Sequence, residues 1–165
     1  MAKKKKEIKT NAVRMVEGEG IPYTLYTYEA PEGFLDGVSV AKATGVPQEK
    51  VFKTLVTVGA SGSYYVCVVP VAEELDLKKG ARHFKEKSLE MLPAKDITKV
   101  TGYIKGGCSP VGMKKLYPTV IHQTAELQPT ICVSGGKVGL QMELSPARLA
   151  GLLSASFDDM IKSLW

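Results

Sequence analysis

Two β-rich runs, Lys53 to Val58 and Tyr64 to Val69, flank the spacer Gly59-Ala60-Ser61-Gly62-Ser63. Glycine allows a tight reversal, and the branched and aromatic residues on either side favour extended chain. The pair therefore reads as an antiparallel hairpin, and a hairpin this apolar must be covered by the rest of the chain to be stable. A second hairpin is expected over Thr130 to Leu144, where the segment VSGGKVG (Val133 to Gly139) separates two strand-like runs. Tyr23 to Tyr28 and Thr119 to His122 add further strands.

Short helices fall between these runs. One starts at Thr10 or Asn11 and stops at Gly18 and Gly20. Two more cover Ser39 to Thr44 and Pro47 to Phe52, the second with proline at its first position. Asp76 to about Pro93 has a charged, helical pattern with Asp76 and Ser88 as caps, and Asp96 caps a further turn. The chain closes with a helical stretch that begins at Ser145 and Pro146 and then covers Phe157 to Leu164. Hairpins mixed with short helices predict an α+β fold with a mixed sheet, not a doubly wound parallel one.

At 165 residues the chain can bury roughly 70% of its unfolded surface. It reads as a lysine-rich tail over residues 1–9 followed by one domain over residues 10–165. The tail holds five lysines and one glutamate, so most of the net charge of +5 sits there and the body is nearly neutral. Such a run is either a solvated tail or an arm for a phosphate backbone. Cys67, Cys108, Cys132, His83 and His122 lack metal-ligand spacing, so no metal or other cofactor is expected, and an odd cysteine count argues against a disulfide framework. No apolar leader or membrane-length stretch is present, which makes the cytoplasm the expected compartment.

Three segments carry chemistry. Gly102 to Lys115 reads GYIKGGCSPVGMKK, and its Gly106-Gly107-Cys108-Ser109-Pro110 centre frees backbone N–H groups that can cradle an anionic or carbonyl oxygen. Val133 to Gly139 is the second glycine-rich turn, in which Ser134 is either a ligand donor or plain turn chemistry. Lys53 stands at a strand start, on the face of Leu55 and Thr57, with Thr54 on the opposite face. Its ammonium is either a solvated rim charge or a compact cation for an ester carbonyl or phosphate. Cys108 with His122 as base would be a thiol nucleophile, but nothing in the spacing brings the two together. Tyr103, Lys105, Lys114 and Lys115 are phosphate ligands or ordinary surface.

At these residues the chain resembles the YbaK/EbsC family, the aminoacyl-tRNA deacylases related to the editing domain of bacterial prolyl-tRNA synthetases. The resemblance runs from about Val13 to Ile161. It rests on Phe52-Lys53-Thr54-Leu55, on Pro70-Val71-Ala72 followed by Leu75 to Lys79, on the Gly102 to Lys115 run, and on Val133 to Lys137 followed by Gly139-Leu140. It implies a mixed sheet closed toward a barrel and ringed by short helices, with a pocket for the aminoacyl group at the 3′ end of a tRNA. It also implies a trans-editing activity on mischarged Cys-tRNA(Pro) or Cys-tRNA(Cys), and a prolyl-tRNA synthetase as a partner.

Under the resemblance Lys53 is the catalytic lysine and Thr54 its pocket neighbour. Gly106, Gly107, Ser109 and Pro110 position the ester, Tyr28 and Phe34 wall the pocket, and Ser134, Gly135 and Gln141 contact the substrate. Where members acting on Cys-tRNA(Pro) commonly carry aspartate after Gly-Leu, this chain has Gln141. The family chemistry has the cysteinyl thiol attack its own ester, so a lysine and backbone N–H groups suffice. The rival readings are a non-catalytic RNA-binding module and a hydrolase using Cys108.

Overall fold

The computed structural model describes residues 9–31 and 35–163, so the lysines at positions 3–6 and the expected pocket residue Phe34 lie outside the described residues. The central hairpin forms as the sequence predicts. Strands β2 (Phe52–Gly59) and β3 (Tyr64–Pro70) pair antiparallel, with Lys53 opposite Val69 and Thr54 opposite Val68. Gly62 closes the turn at a φ of +92°, and its N–H donates to the Gly59 carbonyl at 2.8 Å.

The hairpin is the middle of a five-stranded sheet. Strand β4 (Leu89–Met91) pairs antiparallel with β2, while β5 (Thr119–His122) runs parallel to β3 and β8 (Ser156–Asp158) parallel to β5. The order is β4-β2-β3-β5-β8. A smaller antiparallel sheet has the order β1-β7-β6, from Tyr23–Thr27, Leu140–Leu144 and Ile131–Ser134.

The mixed α+β expectation therefore holds, whereas the partly closed sheet does not. The strands form two open sheets, joined by one isolated bridge between Val51 and Cys132. On its second edge β2 is paired by β4 only over Thr57–Gly59, and beside its start the small sheet makes that single bridge and no continuous ladder among the described residues.

Between the sheets lies the main core. Phe52, Val66, Val68 and Ile121 of the large sheet meet Ile131, Val133, Leu140, Met142 and Leu144 of the small one. Helix α1 (Asn11–Gly18) adds Val13 and Val16, and α5 (Pro146–Leu153) adds Leu149 and Leu153. A β-strand alternates its side chains, so the inward set Leu140, Met142 and Leu144 sends Gln141 and Glu143 to the other face of β7. That alternation is what brings Gln141 to the site.

Helix starts follow local capping chemistry. Thr10, Asp76 and Ser145 each accept from backbone N–H groups of the first turn of α1, α3 (Leu77–Phe84) and α5. Asp36 does the same for α2 (Gly37–Thr44). The Pro47 to Phe52 segment reduces to a single 3-10 turn, Gln48–Lys50. The short α4 (Ile97–Thr101) follows Asp96, whose side chain makes no capping bond.

Two helical expectations are corrected. The stretch from Asp76 to Pro93 stays helical only to Phe84, where Lys85 turns left-handed, and Leu89–Met91 then pairs with β2. Ser88 is accordingly no cap, and its carbonyl accepts from Ala60 N–H at 3.1 Å. The closing helix ends at Leu153, Ser154 is left-handed, and Phe157 lies in β8. Among the described residues no helix is long and apolar enough to cross a membrane.

Candidate functional site

A cavity of about 550 Å³ opens where the start of β2 meets the end of β1, the start of α2, the segment after β4, the 105–108 loop and the small sheet. Its wall is largely apolar, with Leu35, Val38, Val71 and Leu92 among the lining residues. Into it the fold brings Tyr28, Lys53, Thr54, Gly106, Ser134 and Gln141, all named from the sequence.

Lys53 is half-buried, and its Nζ lies 3.5 Å from the Val71 carbonyl. None of the ion pairs among the described residues includes it. Burial pushes its ammonium below the ordinary lysine range, and the fields of Glu74 and Glu73 partly oppose that shift. The result is a cation that has lost much of its water without gaining a carboxylate, free to serve an incoming oxygen.

Two polar atoms sharpen this picture. Among the described residues, Thr54 Oγ1 and Gln141 Oε1 are the buried side-chain polar atoms without a hydrogen-bond partner, and both residues line this cavity. An unmet buried polar group costs about 1–3 kcal/mol, a cost that a bound molecule would relieve. Ser134 Oγ accepts from Gly136 N–H at 3.2 Å, so its own hydrogen remains available. The cavity thus offers a cation, two hydroxyls and an amide carbonyl within an apolar wall.

Gly107, Ser109, Pro110 and Gly135 are not among the lining residues. Gly107 sits where a Cβ would come within 2.7 Å of Val138 N and 2.8 Å of Lys137 Cα, so it is the point at which the two glycine-rich segments touch. Its N–H donates to the Ile104 carbonyl and is not free to cradle an oxygen. Ser109 is fully buried, its Oγ accepting from Val111 N–H, and Pro110 is buried beside it. At Gly135 a Cβ would collide with Leu140, and its N–H closes the hairpin on the Leu140 carbonyl at 2.9 Å. These residues shape the loops behind the site.

Cys108 does line the cavity, but burial pushes its thiol up to about 11, with a bond from Thr101 opposing, so the thiol stays protonated at neutral pH. His122 is not among the lining residues. It is buried in β5, and its Nδ1 accepts from Met160 N–H at 3.0 Å. Sequence reasoning missed the Asp36 end of the wall, although Asp36 followed three residues later by Ser39 is a capping signal that marks the start of α2. The apolar lining residues gave no such signal, since each reads as ordinary core.

Residues 36–152, which supply most of this wall, match the model of the aminoacyl-tRNA editing domain. The chain belongs to that family. An Enterococcus faecalis protein named as a candidate Cys-tRNA(Pro)/Cys-tRNA(Cys) deacylase, EbsC, is 46% identical over 160 residues, which cover 97% of this chain and 98% of that protein. The proline–tRNA ligase of Fervidobacterium nodosum is 33% identical over 115 residues, 63% of this chain but only 20% of the ligase. A solved structure described as a candidate trans-editing enzyme for prolyl-tRNA synthetase superposes with a TM-score of 0.79 at 24% identity, covering 95% of this chain and all of the other chain. At that identity the match speaks for the fold alone.

Proposed function

We propose that this editing domain is a trans-acting aminoacyl-tRNA deacylase that clears cysteine from Cys-tRNA(Pro), with Cys-tRNA(Cys) as the related substrate. The observation that carries the reading is the half-buried, carboxylate-free ammonium of Lys53 in one cavity with the unmet Thr54 hydroxyl and Gln141 carbonyl. An aminoacyl ester supplies what these groups lack: a carbonyl that turns into an oxyanion, and an α-ammonium that donates hydrogen bonds. The editing domain is read as residues 10–165, with residues 1–9 as a tail.

The cavity supplies no activated protein nucleophile, since the Cys108 thiol is protonated and His122 is engaged elsewhere. The cysteinyl sulfur attacks its own ester carbonyl, the bond to the terminal ribose oxygen breaks as that oxygen takes up the thiol proton, and Lys53 neutralises the charge that develops on the carbonyl oxygen. The four-membered thiolactone that leaves is opened by water to free cysteine. A substrate thiol also explains selectivity. Pocket volume alone discriminates a methylene by only about 1–3 kcal/mol, whereas a missing nucleophile removes the reaction. On this basis Cys108→Ala retains deacylation of Cys-tRNA(Pro) within roughly tenfold, a barrier change of at most about 1.4 kcal/mol. A covalent acyl adduct on Cys108, detected by mass, would contradict it.

A basic segment that reaches the cavity at Lys105 also suits the tRNA body. The segment 93–118 carries Lys95, Lys99, Lys105, Lys114 and Lys115 against the single carboxylate of Asp96, and all five lysines are exposed. Lys114 Nζ donates to the Lys99 carbonyl at 3.1 Å, so the two ends of the segment lie side by side. Replacing Lys99, Lys114 and Lys115 together by Gln should weaken tRNA binding and reduce the slope of log K against log salt by about 2–3, close to one unit per phosphate contact. An unchanged slope would remove this surface from the binding reading. A prolyl-tRNA synthetase is the natural partner to hand over the mischarged tRNA, a reading supported by the similarity to a segment of a proline–tRNA ligase.

A further inference from the structure

A second constellation lies away from the cavity, on the outer edge of the large sheet. Ser156 and Asp158 stand two residues apart on the edge strand β8, so both point to one side, toward His83 in the last turn of α3. The Ser156 hydroxyl lies 3.1 Å from His83 Nε2, and His83 Nδ1 lies 2.7 Å from Asp158 Oδ2. Asp158 is anchored at its other oxygen, where Oδ1 accepts from Asp159 N–H at 2.8 Å. The imidazole is fixed from the side as well, edge-on to Phe84 with ring centroids 4.9 Å apart.

The bond to His83 holds the Asp158 carboxyl below its ordinary range, so it is ionised and accepts from Nδ1–H. A neutral imidazole in that tautomer would turn its Nε2 lone pair to the Ser156 O–H, 3.1 Å away, as a general base requires. Ser156 is exposed, and its partners His83 and Asp158 line, with Lys79, Arg82 and Asp159, a polar cleft of about 360 Å³ whose wall Ser156 itself does not join. Lys79 is occupied, bonded to Asp159 at 2.8 Å and to the Ile161 carbonyl at 2.6 Å, whereas Arg82 is exposed.

We propose that Ser156, His83 and Asp158 form a second, serine-nucleophile site that hydrolyses short, polar carboxylic esters. Oγ bonds to the ester carbonyl carbon while its proton passes to His83 Nε2, and the charge on the carbonyl oxygen develops next to the imidazolium so formed. The acyl carbon–oxygen bond breaks, and the leaving alcohol takes the proton back from Nε2. Water then adds to the acyl-serine, giving its proton to His83, and Oγ departs with that proton restored. Acid and alcohol are released, with no oxidant or further reactant needed. The site is independent of Lys53 and of the tRNA reading.

A fluorophosphonate probe tests the proposal on the full chain, because the same attack displaces fluoride and leaves a stable Oγ–phosphorus bond. Peptide mapping is expected to place one adduct on Ser156, and p-nitrophenyl acetate to be hydrolysed above the buffer rate. Ser156→Ala loses both signals. Asp158→Asn, which reverses the His83 tautomer, slows labelling at least 100-fold, and His83→Ala does the same by removing the base. Thermal melts of every variant separate this outcome from a latch that merely ties α3 to β8, since a latch shifts the melting temperature and gives no adduct. A folded wild-type chain that takes up no probe at Ser156, or an Asp158→Asn chain labelled at the wild-type rate, overturns the proposal.

Discussion

Lys53→Ala lowers single-turnover deacylation of Cys-tRNA(Pro) by about 10²–10³, the loss typical of one preorganised oxyanion donor, roughly 2.7–4 kcal/mol. The melting temperature of the same variant stays close to that of the wild type. Both halves follow from the geometry. The ammonium makes one long contact, at 3.5 Å to the Val71 carbonyl, and takes part in no ion pair among the described residues, so little holds the fold through it. Burial already disfavours its charge, which means that its position serves something other than stability. A variant within tenfold of wild-type activity would detach Lys53 from the chemistry.

Glu143→Gln is expected to destabilise the fold by about 2 kcal/mol, a drop in melting temperature of roughly 4–8 °C. Glu143 sits on the same face of β7 as Gln141 and gathers three partners. Thr130 Oγ1 donates to its Oε2, Tyr26 OH donates to Oε1 at 2.6 Å, and Lys50 Nζ lies 3.0 Å from Oε2. The Thr130 and Tyr26 bonds, followed by Lys50, depress its carboxyl to about 2. Because the folded value lies below the ordinary 4.5, the stabilisation is present in full above that range and fades as pH falls through about 2. Denaturant midpoints of wild type and variant should therefore differ at neutral pH and converge toward pH 2. A gap that stays constant with pH would mean that the charge contributes nothing. The ion pair also ties β7 to the turn just before β2, so slackening here is felt at Lys53 and Gln141 together.

Local chemistry made most of the fold legible. The β2–β3 hairpin, the Thr10, Asp76 and Ser145 caps and the strand at Thr119–His122 each depend on a few adjacent residues, and each stands where the sequence puts it. β4 and β8 were not legible, because three residues carry too little periodicity and their identity as strands comes from partners far along the chain. The site divides in the same way. Lys53 was visible as a lone cation at a strand start and Ser134 as a hydroxyl before two glycines, while Thr54 and Gln141 entered as pocket residues through the resemblance, and the cavity contains all four. Gly107 was read as freeing an N–H for a substrate oxygen, and Gly135 as a substrate contact that the resemblance implies. Glycine does not say what approaches, and here it is the other loop and Leu140. The Val71 and Leu92 walls look like any buried strand end, and only the fold shows the space between them.

The claim that the substrate supplies its own nucleophile is tested most directly by comparing cysteinyl and seryl esters on the same tRNA(Pro) under single-turnover conditions. The two differ by one atom, sulfur for oxygen, so pocket fit and tRNA contacts are held nearly constant. The expected result is rapid release of cysteine, while the seryl ester stays close to its uncatalysed rate. Equal rates for the two esters would contradict the account, because the enzyme would then have to provide the nucleophile itself.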